Sequence, residues 1–250
     1  MNYLVSIITP CFNSVEFIEQ TIDSVLEQSY FNWEMIIVDD SSTDKSQDII
    51  LKKSKEDKRI KPIFLKQNVG IAEARNIAIQ KAKGRFLAFL DSDDIWNNKK
   101  IEKQIDFMLS KNIAFSFTSY QPIDKGGKKK YTIVNAPEAI NYYGYLKNTI
   151  IGCLTVMLDT KLVGDFTIPN IRSSQDMSLW LMIMKRDITA YGISEVLAKY
   201  RVSSNSNSSN KIRAAFDVWM VYRKLEKLSF IYSLYCWISY IYNALVKRIK

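Results

Sequence analysis

Not one histidine occurs in the 250 residues. That absence excludes Ser-His-Asp hydrolysis, Cys-His proteolysis, His-x-Glu deamination and histidine-rich zinc sites, and it leaves acid–base work to a carboxylate, Lys, Tyr or Cys. Cysteine is nearly as scarce. Cys11, Cys153 and Cys236 form an odd set without close spacing, so neither a disulfide framework nor a zinc knuckle is indicated, and a reducing compartment fits. None of the eight glycines belongs to a Gly-x-Gly-x-x-Gly or a Gly-Lys-Ser/Thr loop, which weakens the case for a dinucleotide oxidoreductase or a P-loop kinase. No basic n-region precedes the short apolar run at 4–9, and Pro10 breaks that run, so no signal peptide is predicted and the N-terminus is expected to stay cytoplasmic.

What is present describes an ordinary globular chain with one unusual end. Hydrophobic residues make up 47% and charged residues 24%, values that exclude disordered and fibrous classes, and the length allows one substantial core with a smaller appendage. The net charge is +9. Residues 211–250 hold eight basic side chains against Asp217 and Glu226, so six of those nine positive charges sit in the tail. The remainder is nearly balanced. This argues against a general nucleic-acid surface and for a local basic attachment site with an anionic partner.

Taken in order, residues 4–9, 34–38 and 60–65 read as strands separated by helices. Asn13 with Glu16 suggests a capping box before the first helix, whose apolar face is Ile18, Ile22, Val25 and Leu26. An Ala-rich helix follows over 71–83, with Gly84 as its expected stop. Next come a strand ending at Leu90, a helix carrying Ile101, Ile105 and Met108, and a strand at 113–118. This alternation predicts an α/β fold, a mostly parallel Rossmann-like sheet with helices on both faces. Beyond 119 the rhythm weakens: Gly126-Gly127 marks a hairpin or long loop, 152–158 reads as a strand, and 175–184 is helical. Residues 203–210 are only Ser and Asn, a linker by composition.

The chemistry is concentrated where strands end. Phe86-Leu87-Ala88-Phe89-Leu90 is the continuous apolar run of a strand buried on both faces, and it stops in Asp91-Ser92-Asp93-Asp94. Clustered carboxylates repel one another, so a divalent cation would account for them; the plainer alternative is a polar turn capping the next helix. A second buried-type strand, Met35-Ile36-Ile37-Val38, ends in Asp39-Asp40. Open parallel sheets bind ligands outside the carboxyl ends of their strands, so two acidic ends suggest one shared pocket.

These stretches also carry a resemblance. Residues 5–13, Ile37-Val38-Asp39-Asp40-Ser41-Ser42-Thr43-Asp44, Asn68 with Gly70 through Asn76, Leu90-Asp91-Ser92-Asp93-Asp94, Gln175-Asp176 with Trp180, and Tyr200-Arg201 stand in the order and spacing of the family 2 glycosyltransferases. The sequence resembles that family from about residue 5 to 201. The resemblance implies a GT-A fold and inverting transfer from a nucleotide-diphosphate sugar, a UDP-hexose or UDP-N-acetylhexosamine, to a glycan or lipid-linked acceptor in bacterial O-antigen, lipooligosaccharide or capsule synthesis. By the same resemblance Pro10 and Asp40 contact the nucleotide base with Asp39 beside them in the nucleotide site, Arg75 lies near base and phosphates, Asp91 meets the ribose or metal, Asp93 holds Mg²⁺ or Mn²⁺, and Asp176 is the catalytic base. In domain terms this makes 1–118 the nucleotide-sugar half and 119–202 the acceptor half of one catalytic domain, followed by the linker and a helical tail over 211–250.

Two departures stand out. Many relatives carry a His soon after the Tyr-Arg pair, whereas this chain reads Tyr200-Arg201-Val202-Ser203, and Ser41 stands where Gly is frequent. A nucleotidyltransferase is a competing reading, though it would want a Gly-rich basic loop after the first strand. A degenerate partner subunit is another, opposed by the intact acids. The tail runs nineteen residues, 228–246, without a charge. Ser229, Ser233, Cys236, Tyr240 and Asn243 form a small or polar stripe opposite Phe230, Ile231, Leu234, Trp237, Ile238, Ile241 and Leu245. The asymmetry predicts an interfacial helix that binds an anionic membrane through residues 211–250 and holds the enzyme at the inner face of the cell membrane. Packing on the catalytic domain or in a homo-oligomer is the alternative.

Overall fold

The computed structural model describes residues 2–171, 173–202 and 211–249, so the Ser/Asn linker at 203–210 lies outside the described residues. The first half alternates as expected: β1 (Val5–Cys11), α1 (Ile18–Leu26), β2 (Trp33–Asp39), α2 (Ser46–Glu56), β3 (Ile60–Phe64), α3 (Ile71–Lys81) and β4 (Phe86–Phe89). Then come β5 (Ile95–Trp96), α4 (Lys100–Lys111), β6 (Phe115–Ile123), β7 (Ala139–Ile140), α5 (Tyr142–Lys147), β8 (Met157–Asp159), α6 (Thr160–Val163), α7 (Gln175–Met184) and β9 (Ala190–Arg201). Two helices close the chain, α8 (Lys211–Met220) and α9 (Phe230–Ile249), joined through a π-helical turn at Val221–Leu225.

The strands form one sheet in the order β3-β2-β1-β4-β8-β6-β9-β5, with β7 also on β9. It is parallel from β3 to β4. From there it becomes mixed, because β8 enters antiparallel between β4 and β6 while β6 and β9 run parallel. Successive strand residues serve opposite faces, as the period of two requires. Ile8, Ile36, Val38, Leu87 and Phe89 pack towards α3 and α7, whereas Val5, Ile7, Met35, Ile37 and Phe86 pack towards α1 and α4. Trp180 of α7 is wholly buried, edge-on to Phe89 with ring centroids 5.3 Å apart and 5.2 Å from the Phe115 ring. Truncating such a residue costs about 3–5 kcal/mol, so α7 is fixed firmly to the sheet.

The strand expected over 152–158 is shorter and later, since Cys153–Thr155 forms a 3-10 turn and β8 begins only at Met157, and two further local expectations fail for identifiable reasons. The Asn13–Glu16 capping box does not form: α1 begins only at Ile18, and Asn13, at φ 48°, uses its Oδ1 to accept from the Thr43 amide at 2.8 Å. Its side chain ties the loop after β1 to the loop after β2 instead of capping a helix. Gly84 is not the helix stop, since α3 already ends at Lys81, with Ala82 as its extended cap. It is required by close approach, because a Cβ there would meet the Ser6 nitrogen at 2.6 Å and the Leu4 carbonyl oxygen at 2.7 Å.

The tail packs on the α/β body. Tyr222 is buried and its hydroxyl donates to the Leu146 carbonyl, and Asn243 Nδ2 donates to the Lys147 carbonyl at 3.0 Å, while within the tail Trp237 Nε1 of α9 donates to the Ala215 carbonyl of α8 at 2.7 Å. Ser233 and Cys236 of the small stripe are fully buried, while Ile231 is 81% and Ile238 57% exposed. The helix thus docks by its small and polar side and turns Phe230, Ile231, Leu234, Ile238 and Leu245 outward, whereas Trp237, expected on the same apolar stripe, packs against the core and Ile241 is half-buried. No helix among the described residues is long and apolar enough to cross a membrane.

Candidate active site

Three adjacent parallel strands bring the acids together. In register, Cys11 lies beside Asp39, and Ile8 lies beside both Ile36 and Phe89. The ladder continues one step past the strands, through Asp40 N to the Cys11 carbonyl at 2.8 Å and Leu90 N to the Ile8 carbonyl at 3.1 Å. Pro10, Asp39, Asp40 and Asp91 therefore emerge at one sheet edge, as the two acidic strand ends predict.

Their surroundings differ sharply. Asp39 is buried and consumed locally: its carboxylate accepts from Ser42 N at 3.0 Å, Ser42 Oγ at 2.6 Å and Gln47 Nε2 at 2.6 Å. It shapes a turn in which Ser41 adopts φ 63°, the left-handed region that explains the Gly frequent there. Asp40 instead grips the loop before α3, one carboxylate oxygen accepting from Val69 N at 2.7 Å and the other from Gly70 N at 2.8 Å. Gly70, at φ 88°, starts α3 and so sets the position of Arg75. Arg75 is 4% exposed and its Nη2 donates to Asp91 Oδ1 at 2.5 Å. Burial works against the guanidinium's charge, but Asp91, with Asp176 beyond it, holds its pKa above the ordinary arginine value.

The three acids after β4 divide. Asp94 turns inward, fully buried, accepting from Arg201 N at 2.8 Å, and burial followed by its acidic neighbours pushes its carboxyl well up. Arg201 is likewise structural, with Nε on the Asp93 carbonyl at 2.8 Å and its guanidinium 4.5 Å from the Phe17 ring centroid. Asp91 and Asp93 face the cleft. Burial and the nearby Asp91 raise Asp93 to about 6. Among the described residues no three His, Cys, Asp or Glu side chains converge to hold a metal unaided. Two cleft-facing carboxylates that crowd each other nevertheless fit Mg²⁺ or Mn²⁺, hard cations held by one or two carboxylates and completed by substrate phosphates.

Opposite the strand ends, Asp176 occupies the first turn of α7, just after Ser174 at φ 59°. Burial raises its carboxyl above the ordinary range, with Arg75 opposing. The cleft between these walls holds about 840 Å³ and is lined by Pro10, Asp40, Arg75, Asp91, Asp93 and Asp176. That size is at the upper end of the roughly 300–1,000 Å³ of small-molecule sites. Of the site residues predicted from sequence, only Asp39 is not part of the lining.

Sequence reasoning missed several members of this wall. Phe12 is half-exposed at the cleft mouth, flagged only by its position immediately after β1. Tyr145, Asp217 and Tyr240 reach the cleft from α5, α8 and α9, and no local pattern announces them. Asn76, beside Arg75, exchanges hydrogen bonds with the Ile168 backbone at 2.8 and 3.0 Å and so anchors the segment leading to Asp176.

Comparison with known proteins gives a consistent picture. Residues 6–162 match the model of "Glycosyl transferase family 2". The chain is 49% identical over 246 residues, 98% of each chain, to TuaG of Bacillus subtilis (strain 168), a glycosyltransferase provisionally named for teichuronic acid biosynthesis. It is 43% identical over 221 residues, 88% of this chain and 85% of the other, to the Escherichia coli UDP-Glc:alpha-D-GlcNAc-diphosphoundecaprenol beta-1,3-glucosyltransferase WfgD. Among solved structures, S. aureus TarS 1-349 in complex with UDP-GlcNAc superposes with a TM-score of 0.75 at 19% identity, covering 98% of this chain and 73% of that one. The Pyrobaculum calidifontis mannosyltransferase PcManGT in complex with GDP-Man and Mn²⁺ superposes with a TM-score of 0.71 at 17% identity, over 90% of this chain and 64% of that one. At such identities the structural likeness establishes the GT-A fold.

Proposed function

The chain belongs to glycosyl transferase family 2, and from that premise we propose that it transfers a hexose or N-acetylhexosamine, with inversion, from a UDP-sugar to a hydroxyl of a lipid-diphosphate-linked glycan in surface-polysaccharide synthesis. The observation that carries this reading is the one cleft in which Arg75 of α3 and Asp91 and Asp93 from the end of β4 face Asp176 on α7. The donor is argued from the relatives WfgD and WfaP, both UDP-Glc:alpha-D-GlcNAc-diphosphoundecaprenol beta-1,3-glucosyltransferases, the second 39% identical over 250 residues.

Residues 1–118 supply the donor half. Phe12 and Pro10 flank the base, Asp40 fixes the loop that orients α3, and Arg75 sets positive charge beside the diphosphate. Asp39 acts as a positioning residue, since its oxygens are bound within the turn. Asp93 and Asp91 would hold Mg²⁺ or Mn²⁺, which when bound supplies Lewis-acid neutralisation of the diphosphate leaving group. Asp176 takes the proton of the acceptor hydroxyl, a step that contributes about 10²–10⁴-fold. The acceptor oxygen then bonds to the anomeric carbon from the face opposite the diphosphate. The bond from that carbon to the diphosphate oxygen breaks, and its electron pair leaves with UDP. An α-linked donor gives a β-linked product.

A lipid-linked acceptor lies at a membrane, and α9 offers a means of reaching it. Its outward face carries Phe230, Ile231, Leu234, Ile238 and Leu245, with Arg223, Lys224 and Lys227 exposed at the near end. Apolar side chains inserted at headgroup depth, with basic residues on anionic lipid, would hold the enzyme peripherally at the cytoplasmic face. To test the activity, purified protein is incubated with a UDP-sugar panel, Mn²⁺ and a synthetic α-GlcNAc-diphosphate alkyl acceptor, and the product linkage is read by NMR. A β-linked disaccharide is expected. An α-linked product, or turnover only with non-UDP donors, would overturn the reading.

A further inference from the structure

The wall of the cleft next to Asp176 is not built by the catalytic domain alone. α8 and α9 contribute Asp217, Val218 and Tyr240 to it, beside Tyr145 of α5 and Met177 of α7. The placement is fixed by packing: Val218 and Tyr222 are buried, the Tyr222 hydroxyl donates to the Leu146 carbonyl at the end of α5, and Asn243 donates to the next carbonyl at 3.0 Å. Strand-end acids, Arg75 and the loop before α3 occupy the donor side, so the tail lines the side where the nucleophile must enter.

The chemistry of this wall is that of a sugar site. Asp217 is half-buried in the lining, and among the described residues no hydrogen bond or ion pair engages its carboxylate. A carboxylate accepts from sugar hydroxyls, and charge-assisted bonds of this kind are roughly twice as strong as neutral ones. A partly accessible tyrosine ring such as that of Tyr240 offers an apolar face to the C–H side of a pyranose, whereas Tyr145 is buried as packing. Arg75, a cation of the same cleft, is already bound to Asp91.

We propose that the α8–α9 tail forms the acceptor-sugar subsite, in which Asp217 accepts a hydrogen bond from a hydroxyl of the acceptor sugar while the half-buried Tyr240 contacts the ring. Asp217 is a binding and orienting residue here; proton removal stays with Asp176. This rests on the glycosyl-transfer reading above, and the tail then joins two tasks, since the helices that line the acceptor side also carry the outward apolar face.

Steady-state kinetics with UDP-sugar and the α-GlcNAc-diphosphate alkyl acceptor test the assignment in the full chain, using Asp217→Asn and Asp217→Ala. The acceptor KM is expected to rise about tenfold to a hundredfold, the loss of one hydrogen bond to a charged group. UDP affinity, donor KM and melting temperature should stay within twofold or a degree or so of wild type. An acceptor series lacking single hydroxyls should contain one member on which wild type and Asp217→Ala perform alike. An unchanged acceptor KM in an active Asp217→Ala overturns the subsite. So does a parallel loss of UDP binding and stability in both variants, which would make Asp217 structural. A wild-type enzyme without turnover on any sugar acceptor instead overturns the transfer reading, and the subsite with it.

Discussion

Arg75 Nη2 stands 2.5 Å from Asp91 Oδ1, joining the middle of α3 to the end of β4 at the floor of the cleft. The pair fixes the spacing between α3 and the acid cluster, and it presents a guanidinium that Asp91 keeps charged in spite of burial. Arg75→Met should destabilise the protein by about 1–3 kcal/mol, less than a fully buried pair because Asp91 is partly exposed. It should also weaken UDP binding at least about tenfold, as the loss of one charge-assisted contact implies. Arg75→Lys keeps the charge but not the planar fork, so most of the binding loss should persist. Denaturant melts with and without UDP separate the two effects.

The proposed metal dependence is tested at Asp93. Its folded pKa of about 6 lies above the ordinary aspartate value of about 3.9, so between these pH values the metal-free native state binds more protons than the unfolded state. This group's contribution to stability is full below about pH 4 and is lost as pH rises through about 6. A cation needs the ionised carboxylate, so Mn²⁺ affinity should fall about tenfold per pH unit below 6. Asp93→Ala should abolish transfer while leaving the melt cooperative. Full turnover in excess chelator would sink the metal reading.

Asp176→Asn should retain UDP-sugar binding and lose transfer by a factor of about 10² or more, the size of a general-base contribution. Burial raises the Asp176 carboxyl, so the wild-type rate should climb with pH through a limb lying above the ordinary carboxylate range. The Asn variant should lack that limb. An active Asn variant with an unchanged acidic limb would move the base to another group. Asp94 is a poor substitute, since it is buried and bonded to the Arg201 amide.

Much of this was legible in the sequence because it is local. Apolar runs that stop in acids identify buried parallel strands and their functional ends from neighbouring residues alone. The division of labour between Asp39 and Asp40 was not legible, because Asp40 is defined by amides 29 and 30 residues further on. Nor were Asp217 and Tyr240, which reach the cleft only through the docking of α8 and α9 on α5. The periodicity of α9 showed two stripes but not their orientation, which the carbonyls of Leu146 and Lys147 decide by accepting from the tail.

Ser41 was legible as a departure, and its φ of 63° supplies the physical reason. A left-handed conformation costs an L-residue about 1–2 kcal/mol, and glycine's greater unfolded entropy returns roughly 0.5–1 kcal/mol of that. Ser41→Gly should therefore stabilise the protein by about 0.5–1 kcal/mol. In a chain of this length that corresponds to about 1–4 °C in Tm by calorimetry.

The outward face of α9 leads to the membrane prediction. Ile231 and Ile238 project from the helix at 81% and 57% exposure, while Ser233 and Cys236 fill the contact with the body, so substitutions on the outer face leave the packing intact. Exposed Arg223, Lys224 and Lys227 flank the face, and each basic residue near anionic lipid contributes about 1 kcal/mol, within a Debye length of about 8–10 Å. The full chain should float with phosphatidylglycerol-containing vesicles at low salt, and binding should weaken both at high salt and on neutral vesicles. The paired substitutions Ile231→Asp and Ile238→Asp should abolish flotation without lowering Tm or transfer to a short-chain acceptor. Deleting the tail is a poorer test, because Val218, Tyr222 and Cys236 are part of the core and their loss would expose it. If the doubly substituted protein partitions like the wild type at low salt, the membrane assignment fails. The apolar face would then belong to a contact between copies of the chain, which sedimentation of the same two proteins would reveal as a difference in mass.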